Sequence, residues 1–165
     1  MMFLRSLRPF IAQRRSLVVA AVAAALVLVA ATSARAGSEG TQAVRWVGDL
    51  GTAKQLSERT GKPMLIVFGA EWCGYCTKLN DDTLSHPQVS RYINEGFVPV
   101  HLDLDEQKWA AKILEVRTLP CSVVLAPNAD QLGRIVGYEE PSPFFQKLSA
   151  ARRVGEQITQ TSAAR

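Results

Sequence analysis

The sequence predicts an α/β fold, a mixed central sheet flanked by helices on both faces. Three observations carry this. Met64-Leu65-Ile66-Val67-Phe68 is an unbroken apolar run bounded by breakers, the pattern of a strand buried on both sides. Strand and helix patterns alternate after it, and parallel neighbours in a sheet need helical crossovers. A hairpin and a final helix then close the chain, adding antiparallel strands to the same sheet.

In chain order, Ala43 to Val47 reads as a short edge strand, and Asp49 as the cap of a helix with Leu50, Ala53 and Leu56 on one face. Gly61 and Pro63 stop that helix and the apolar run follows as the sheet centre. Gly69 and Ala70 turn the chain into Glu71-Trp72-Cys73 and a helix carrying Cys76 and Leu79. A second helical piece starts at Ser85-His86-Pro87, where proline is tolerated in the first turn, shows Val89, Tyr92 and Ile93 on one side, and ends at Gly96.

Phe97 to Leu104 is the next strand, with Asp103 and Asp105 at its exit, and a helix follows from about Gln107 to Leu114. Beyond Pro120, Cys121 to Ala126 is β-prone, Pro127-Asn128-Ala129-Asp130 is a turn, and Leu132 to Val136 returns as the hairpin partner. The last helix lies near Pro143 to Val154, with Phe144, Phe145 and Leu148. Residues 155–165 are polar and are expected to form a flexible tail.

The N-terminus has the composition of an export signal. Arg5, Arg8, Arg14 and Arg15 precede an uncharged apolar run from Leu17 to Ala31, and Ala34-Arg35-Ala36 fits the small-x-small pattern of a cleavage site. Residues 1–36 therefore read as a signal peptide, with the mature chain beginning at Gly37. The rival, an uncleaved anchor, is disfavoured because the run falls short of the roughly 20 apolar residues of a spanning helix. Arg14-Arg15 also loosely matches a twin-arginine signal.

Five of the 19 basic residues and none of the 15 acids lie in this leader, so the mature chain holds 14 basic against 15 acidic residues, a net charge of −1. The basic pI of the whole chain is then no argument for a nucleic-acid partner, and a membrane is expected to be involved only through the leader if that stays uncleaved. The expected location is periplasmic or otherwise extracytoplasmic. Residues 37–154 suffice for one domain with its own core.

All three cysteines, Cys73, Cys76 and Cys121, fall in that domain, and an odd count leaves at least one thiol without a structural partner. A strand that delivers Cys73 to the first turn of a helix sets its sulfur beside unpaired N–H groups and the positive end of the helix dipole. Both favour the nucleophilic thiolate. Cys76, three residues on, shares the helix face at about 5–6 Å by Cβ, so the pair can close a disulfide. Cys73 is assigned as the attacking thiol and Cys76 as the resolving one, deeper in the helix and more buried. Trp72 covers one side of the site, and Gly74 and Tyr75 tune the pair.

Rival readings are weaker. Haem attachment through a CxxCH motif needs histidine at position 77, which is Thr77, and a four-cysteine zinc site needs a second pair. A structural clip across so short a loop stabilises little. No metal ligation or bound cofactor is expected for the redox reading.

Through Phe68-Gly69-Ala70-Glu71-Trp72-Cys73-Gly74-Tyr75-Cys76 and Val116-Arg117-Thr118-Leu119-Pro120, the chain resembles the thioredoxin superfamily over about residues 43 to 153. The stretch Thr83 to Val89 looks most like the branch of exported thiol:disulfide interchange proteins. The resemblance implies the thioredoxin fold and a disulfide oxidoreductase that acts on protein thiols and disulfides, as reductant or isomerase partner, with electrons supplied by a redox partner protein. It also implies that Pro120 is cis and faces the cysteines, with the backbone of Leu119 pairing with an extended substrate segment. The residues alone allow a cis proline or an edge marker.

Three positions depart from the family pattern. Val67 stands where an acid is usual, and His101 stands where the neighbouring strand usually carries a lysine, near Cys76, either as a proton relay or with no catalytic part. Cys121 stands where threonine usually follows the proline. It reads as a third redox thiol, a soft metal ligand or a small buried hydrophobe. Two other functions stay open at this point: a copper(I)-handling module using Cys73, Cys76 and Cys121 or His101, and a substrate-binding domain without redox turnover.

Overall fold

The computed structural model describes residues 43–163. The expected signal peptide, its expected cleavage after Ala36 and the twin-arginine pair lie outside the described residues. Among those described, no helix is long and apolar enough to cross a membrane.

The elements are α1 (Leu50–Thr60), β1 (Met64–Gly69), α2 (Gly74–Lys78), α3 (Pro87–Gly96), β2 (Val98–Asp103), α4 (Lys108–Ile113), β3 (Cys121–Leu125), β4 (Gln131–Val136) and α5 (Pro141–Ala163). The four strands form one sheet in the order β2-β1-β3-β4. β1 and β2 run parallel, while β3 pairs antiparallel with both β1 and β4. This is the thioredoxin fold, with the apolar run of β1 at an inner position.

Alternation along β1 separates two apolar clusters. Leu65 and Val67 pack with Val89, Ile93, Phe144 and Leu148 on one face. Met64, Ile66 and Phe68 pack with Ala53, Ala110 and Ala111 on the other. Every residue of β1 is buried, as a strand covered by helices on both sides requires. Each fully buried Leu or Phe contributes about 1.5–3 kcal/mol by leaving water, so the helices are held to the sheet chiefly through these two faces.

Helix ends follow local chemistry. The Asp49 carboxylate accepts from the Thr52 N–H at 2.9 Å, and Gly61 closes α1 at φ 70°, its N–H donating to the Ser57 carbonyl. Pro87 opens α3 in its first turn.

Three expectations are corrected. The edge strand at 43–47 is reduced to one bridge, Val47 to Val100. Val47 N–H donates to the Pro99 carbonyl at 2.8 Å, but Pro99 has no N–H to return, so a ladder cannot continue along that edge. The segment is instead pinned by Asn94, whose side chain accepts from Arg45 N–H and donates to the Ala43 carbonyl.

The polar stretch expected as a tail belongs to α5, which runs to Ala163. Gly155 does not stop it, because its missing side chain makes room for Leu132: a Cβ there would lie 2.9 Å from Leu132 Cδ1. An Arg152–Glu156 ion pair spans one turn at the same place.

Between α2 and α3 the chain forms a π-helical turn, Leu79–Leu84, in which the Ser85 N–H reaches back five residues to the Asn80 carbonyl at 3.0 Å. Apolar periodicity does not distinguish such a turn from α-helix.

Candidate redox site

β1 ends at Gly69, and four residues later Cys73 caps the N-terminus of α2. Cys73 has extended backbone, φ −91° and ψ 93°, and its sulfur accepts from the Cys76 N–H at 3.2 Å. Its carbonyl accepts from the N–H groups of Cys76 and Thr77. Cys73 and Cys76 are joined by a disulfide of 2.04 Å with their Cα atoms 5.2 Å apart. A thiolate released at Cys73 on reduction would therefore find an amide donor and a helix N-terminus already aimed at it.

The expected order of burial is reversed. Cys73 is 7% exposed, whereas Cys76 is half-buried. None of the residues of α2 is buried, so a position further along this short surface helix is not deeper in the protein.

The rim is apolar and open. Trp72 and Tyr75 are 67% and 66% exposed. Trp72 is tethered rather than loose: its indole N–H donates to Asp105 at 2.8 Å. Asp105 is in turn placed by Asp103, whose carboxylate accepts from the Asp105 N–H at 2.7 Å, and by the bond from Leu104 N–H to the Gly69 carbonyl. Gly74 has open space where a side chain would be.

On the sheet, Phe68 pairs with Cys121, which sets the start of β3 beside the end of β1 that leads to the cysteines. The Leu119–Pro120 peptide there is cis. Pro120 is buried and its carbonyl accepts from Gly137 N–H at 2.8 Å, while Leu119 is half-buried against the second apolar cluster.

Cys121 is 1% exposed and free of disulfide, with an Arg134 guanidinium nitrogen 3.8 Å from its sulfur. Burial pushes its thiol pKa up, against the pull of Arg134. It packs as a small hydrophobe in the cluster with Phe68 and Val123. Among the described residues, no three His, Cys, Asp or Glu side chains gather as a metal site.

His101 pairs with Val67 across β1 and β2. Val67 is buried in apolar surroundings. A Cβ built on Gly69 would lie 3.1 Å from His101 Nε2 and 3.6 Å from Cys76 Cβ, so the imidazole and the second cysteine approach the same space. Desolvation holds the His101 pKa below the ordinary histidine range, with the Asp103 carboxylate pulling the other way.

Sequence reading missed Gly69 as a member of the site, although a glycine directly after a buried strand is a signal of close approach. It also missed the clasp behind α2. There Lys78 pairs with Asp82 at 3.1 Å and lies 4.1 Å over the Tyr138 ring, and Tyr138 donates to Asp82. Lys78 and Asp82 are an i,i+4 pair and so local in sequence, whereas nothing near them points to Tyr138, 56 residues from Asp82.

Comparison with known proteins agrees with this geometry. The pattern of a family described as a thioredoxin-like domain matches residues 50–152, more than half of the chain. A thioredoxin-related protein, DsbJ, of Chlamydia pneumoniae is 26% identical over 107 residues, covering 58% of this chain and 31% of its own. The thiol:disulfide interchange protein DsbD of Cronobacter sakazakii is 29% identical over 108 residues, 62% of this chain and 18% of its own. The chain thus spans less than a third of either relative. The solution structure of a thioredoxin from Thermus thermophilus superposes with a TM-score of 0.59 at 30% identity, covering 68% of this chain and 88% of that one.

Proposed function

The chain belongs to the thioredoxin-like domain family of thiol:disulfide oxidoreductases, and from that premise we propose that it is an exported enzyme exchanging disulfides with protein substrates through Cys73 and Cys76. The observation that carries this is a closable cysteine pair at a helix N-terminus, ringed by the exposed Trp72 and Tyr75. Export is supported by the arginine-rich, then apolar, leader.

In the reducing direction the Cys73 thiolate attacks one sulfur of a substrate disulfide, and the other substrate sulfur leaves as a thiolate. Cys76, losing its proton, then attacks Cys73, which forms the Cys73–Cys76 bond and releases the substrate as a dithiol. Release before that second attack, with reattack elsewhere, gives isomerisation. A partner protein with a dithiol resets the pair by the reverse exchange, so no bound cofactor takes part. Leu119 and cis-Pro120 present the backbone edge on which an extended substrate segment lies. Gly74 and Tyr75 tune the pair, and His101 is the auxiliary candidate for the Cys76 proton, supported by the space it shares with Cys76 beside Gly69.

The test is trapping. Cys76→Ser should accumulate mixed disulfides through Cys73 with exported proteins, and Cys73→Ser should not. Absence of adducts, with cellular function intact in the double serine variant, would leave a substrate-binding domain without redox turnover.

A further inference from the structure

We propose that Arg134 is a positioning residue for substrate binding, clamping the segment that presents Leu119 and Pro120 although it touches neither cysteine of the redox pair. The inference rests on the reading of Leu119–Pro120 as the substrate-pairing edge.

α4 ends in a Schellman motif. The Val116 N–H donates to the Ala111 carbonyl at 2.8 Å and the Glu115 N–H to the Lys112 carbonyl at 3.2 Å. The residue at the left-handed position is Glu115, at φ 49°, where glycine is the residue without a steric penalty. Such a turn persists when its surroundings hold it.

Arg134, on β4, supplies the hold. One guanidinium nitrogen donates to the Leu114 carbonyl at 2.6 Å and to Gln131 Oε1 at 2.8 Å. The other reaches the Glu115 carbonyl at 3.4 Å and the Cys121 sulfur at 3.8 Å. Helix C-terminal carbonyls are left without intrahelical partners, and a cation there also meets the negative end of the dipole.

The residue just past that strand holds the far end of the segment, through Gly137 N–H to the Pro120 carbonyl at 2.8 Å. Residues 114–120 are therefore strung between two anchors, Arg134 on β4 and Gly137 directly after it. A cavity of about 290 Å³, lined by Glu115, Arg117, Thr118, Cys121, Arg134 and Val136, lies beside the clamp. It is space into which the segment can move once Arg134 is gone.

The experiment compares the wild-type chain, Arg134→Met, Arg134→Lys, Glu115→Gly and the Arg134→Met/Glu115→Gly double variant. Two probes are used: turnover of disulfide-bonded insulin with dithiothreitol as reductant, and reaction of the reduced pair with a small aromatic disulfide that needs no strand pairing. Loss of hydrogen bonds to a charged group predicts that Arg134→Met raises KM for insulin about tenfold. kcat and the small-disulfide rate stay near wild type.

Arg134→Lys, a point charge that cannot span both carbonyls, falls between the two. Glu115→Gly relieves the left-handed position and restores most of the lost affinity in the double variant. Equal loss with both probes, or no rescue by Glu115→Gly, overturns the clamp. If Arg134→Met does not fold, the KM of Arg134→Lys decides, and a wild-type value there overturns it. A wild-type chain inactive with both probes would instead overturn the redox reading itself.

Discussion

The imidazole of His101 stands edge-on to the indole of Trp46, ring centroids 5.6 Å apart and planes at 73°. His101 keeps an exposed face on β2, and this packing, with Gly69 on the other side, takes enough water from the ring to disfavour its charged form. Because the folded pKa lies below the unfolded value of about 6.5, the unfolded chain takes up a proton first as the pH falls. Stability is undiminished above that value and drops as pH falls through it toward the folded pKa. Urea midpoints should decline from pH 7 to 5, and His101→Gln should remove part of that slope. An unchanged slope in the variant would contradict the assignment.

Gly69→Ala tests the shared space beside the redox pair. Its Cβ would press on the His101 ring at 3.1 Å while lying 3.6 Å from Cys76 Cβ, so the ring must give way beside the second cysteine. The protein should fold with a loss of about 1–3 kcal/mol. Equilibration with dithiothreitol should show a displaced thiol–disulfide constant, whereas Gly74→Ala, into open space, should change packing little.

Gly133 and Ala151 set the separation of β4 and α5. A Cβ on Gly133 would lie 2.8 Å from Ala151 Cβ, an atom that cannot rotate away. Gly133→Ala should cost about 1–3 kcal/mol by overpacking. Gly61→Ala meets nothing within 4 Å and should cost about 1–2 kcal/mol through its φ of 70° alone. Adding Ala151→Gly should rescue the first variant and leave the second unimproved, as measured by chemical denaturation.

Asp105→Ala releases the Trp72 indole. The bond is exposed, so stability should fall by less than about 1 kcal/mol. The expected signs are altered tryptophan fluorescence and a higher KM for protein substrates, with the small-disulfide rate unchanged. A wild-type KM would show that the tether has no part in binding.

Phe144→Ala empties a fully buried position shared by α5 and the sheet, and should cost about 3–5 kcal/mol while leaving exchange kinetics of the folded fraction intact.

These cases also show what was legible beforehand. The β1 run, the hairpin and the Cys73–Cys76 spacing are local patterns, and each is read from neighbours in sequence. The relation of Gly69 to His101 is not local, since it depends on the parallel register of β1 and β2. Arg134 escaped for the same reason: its partners lie at the end of α4, 19 and 20 residues away. Gly155 misled because glycine after a helical pattern usually marks an end, and here a neighbouring leucine fills its space. The burial order of the cysteines followed from α2 lying on the surface, which spacing does not reveal.

The wide turn at Leu79–Leu84 has one more consequence. A π turn accommodates an extra residue within a helix without breaking the chain's direction. The helix that begins at the redox motif therefore runs on to Leu84 with a phase that differs from an unbroken α-helix, and the extended His86 separates it from α3. Lengthening or shortening the turn by one residue would rotate the buried Thr83 and Leu84 about the helix axis by roughly a quarter turn or more relative to the motif. Deleting Asp81 is thus a sharper probe of the site's architecture than most substitutions within it.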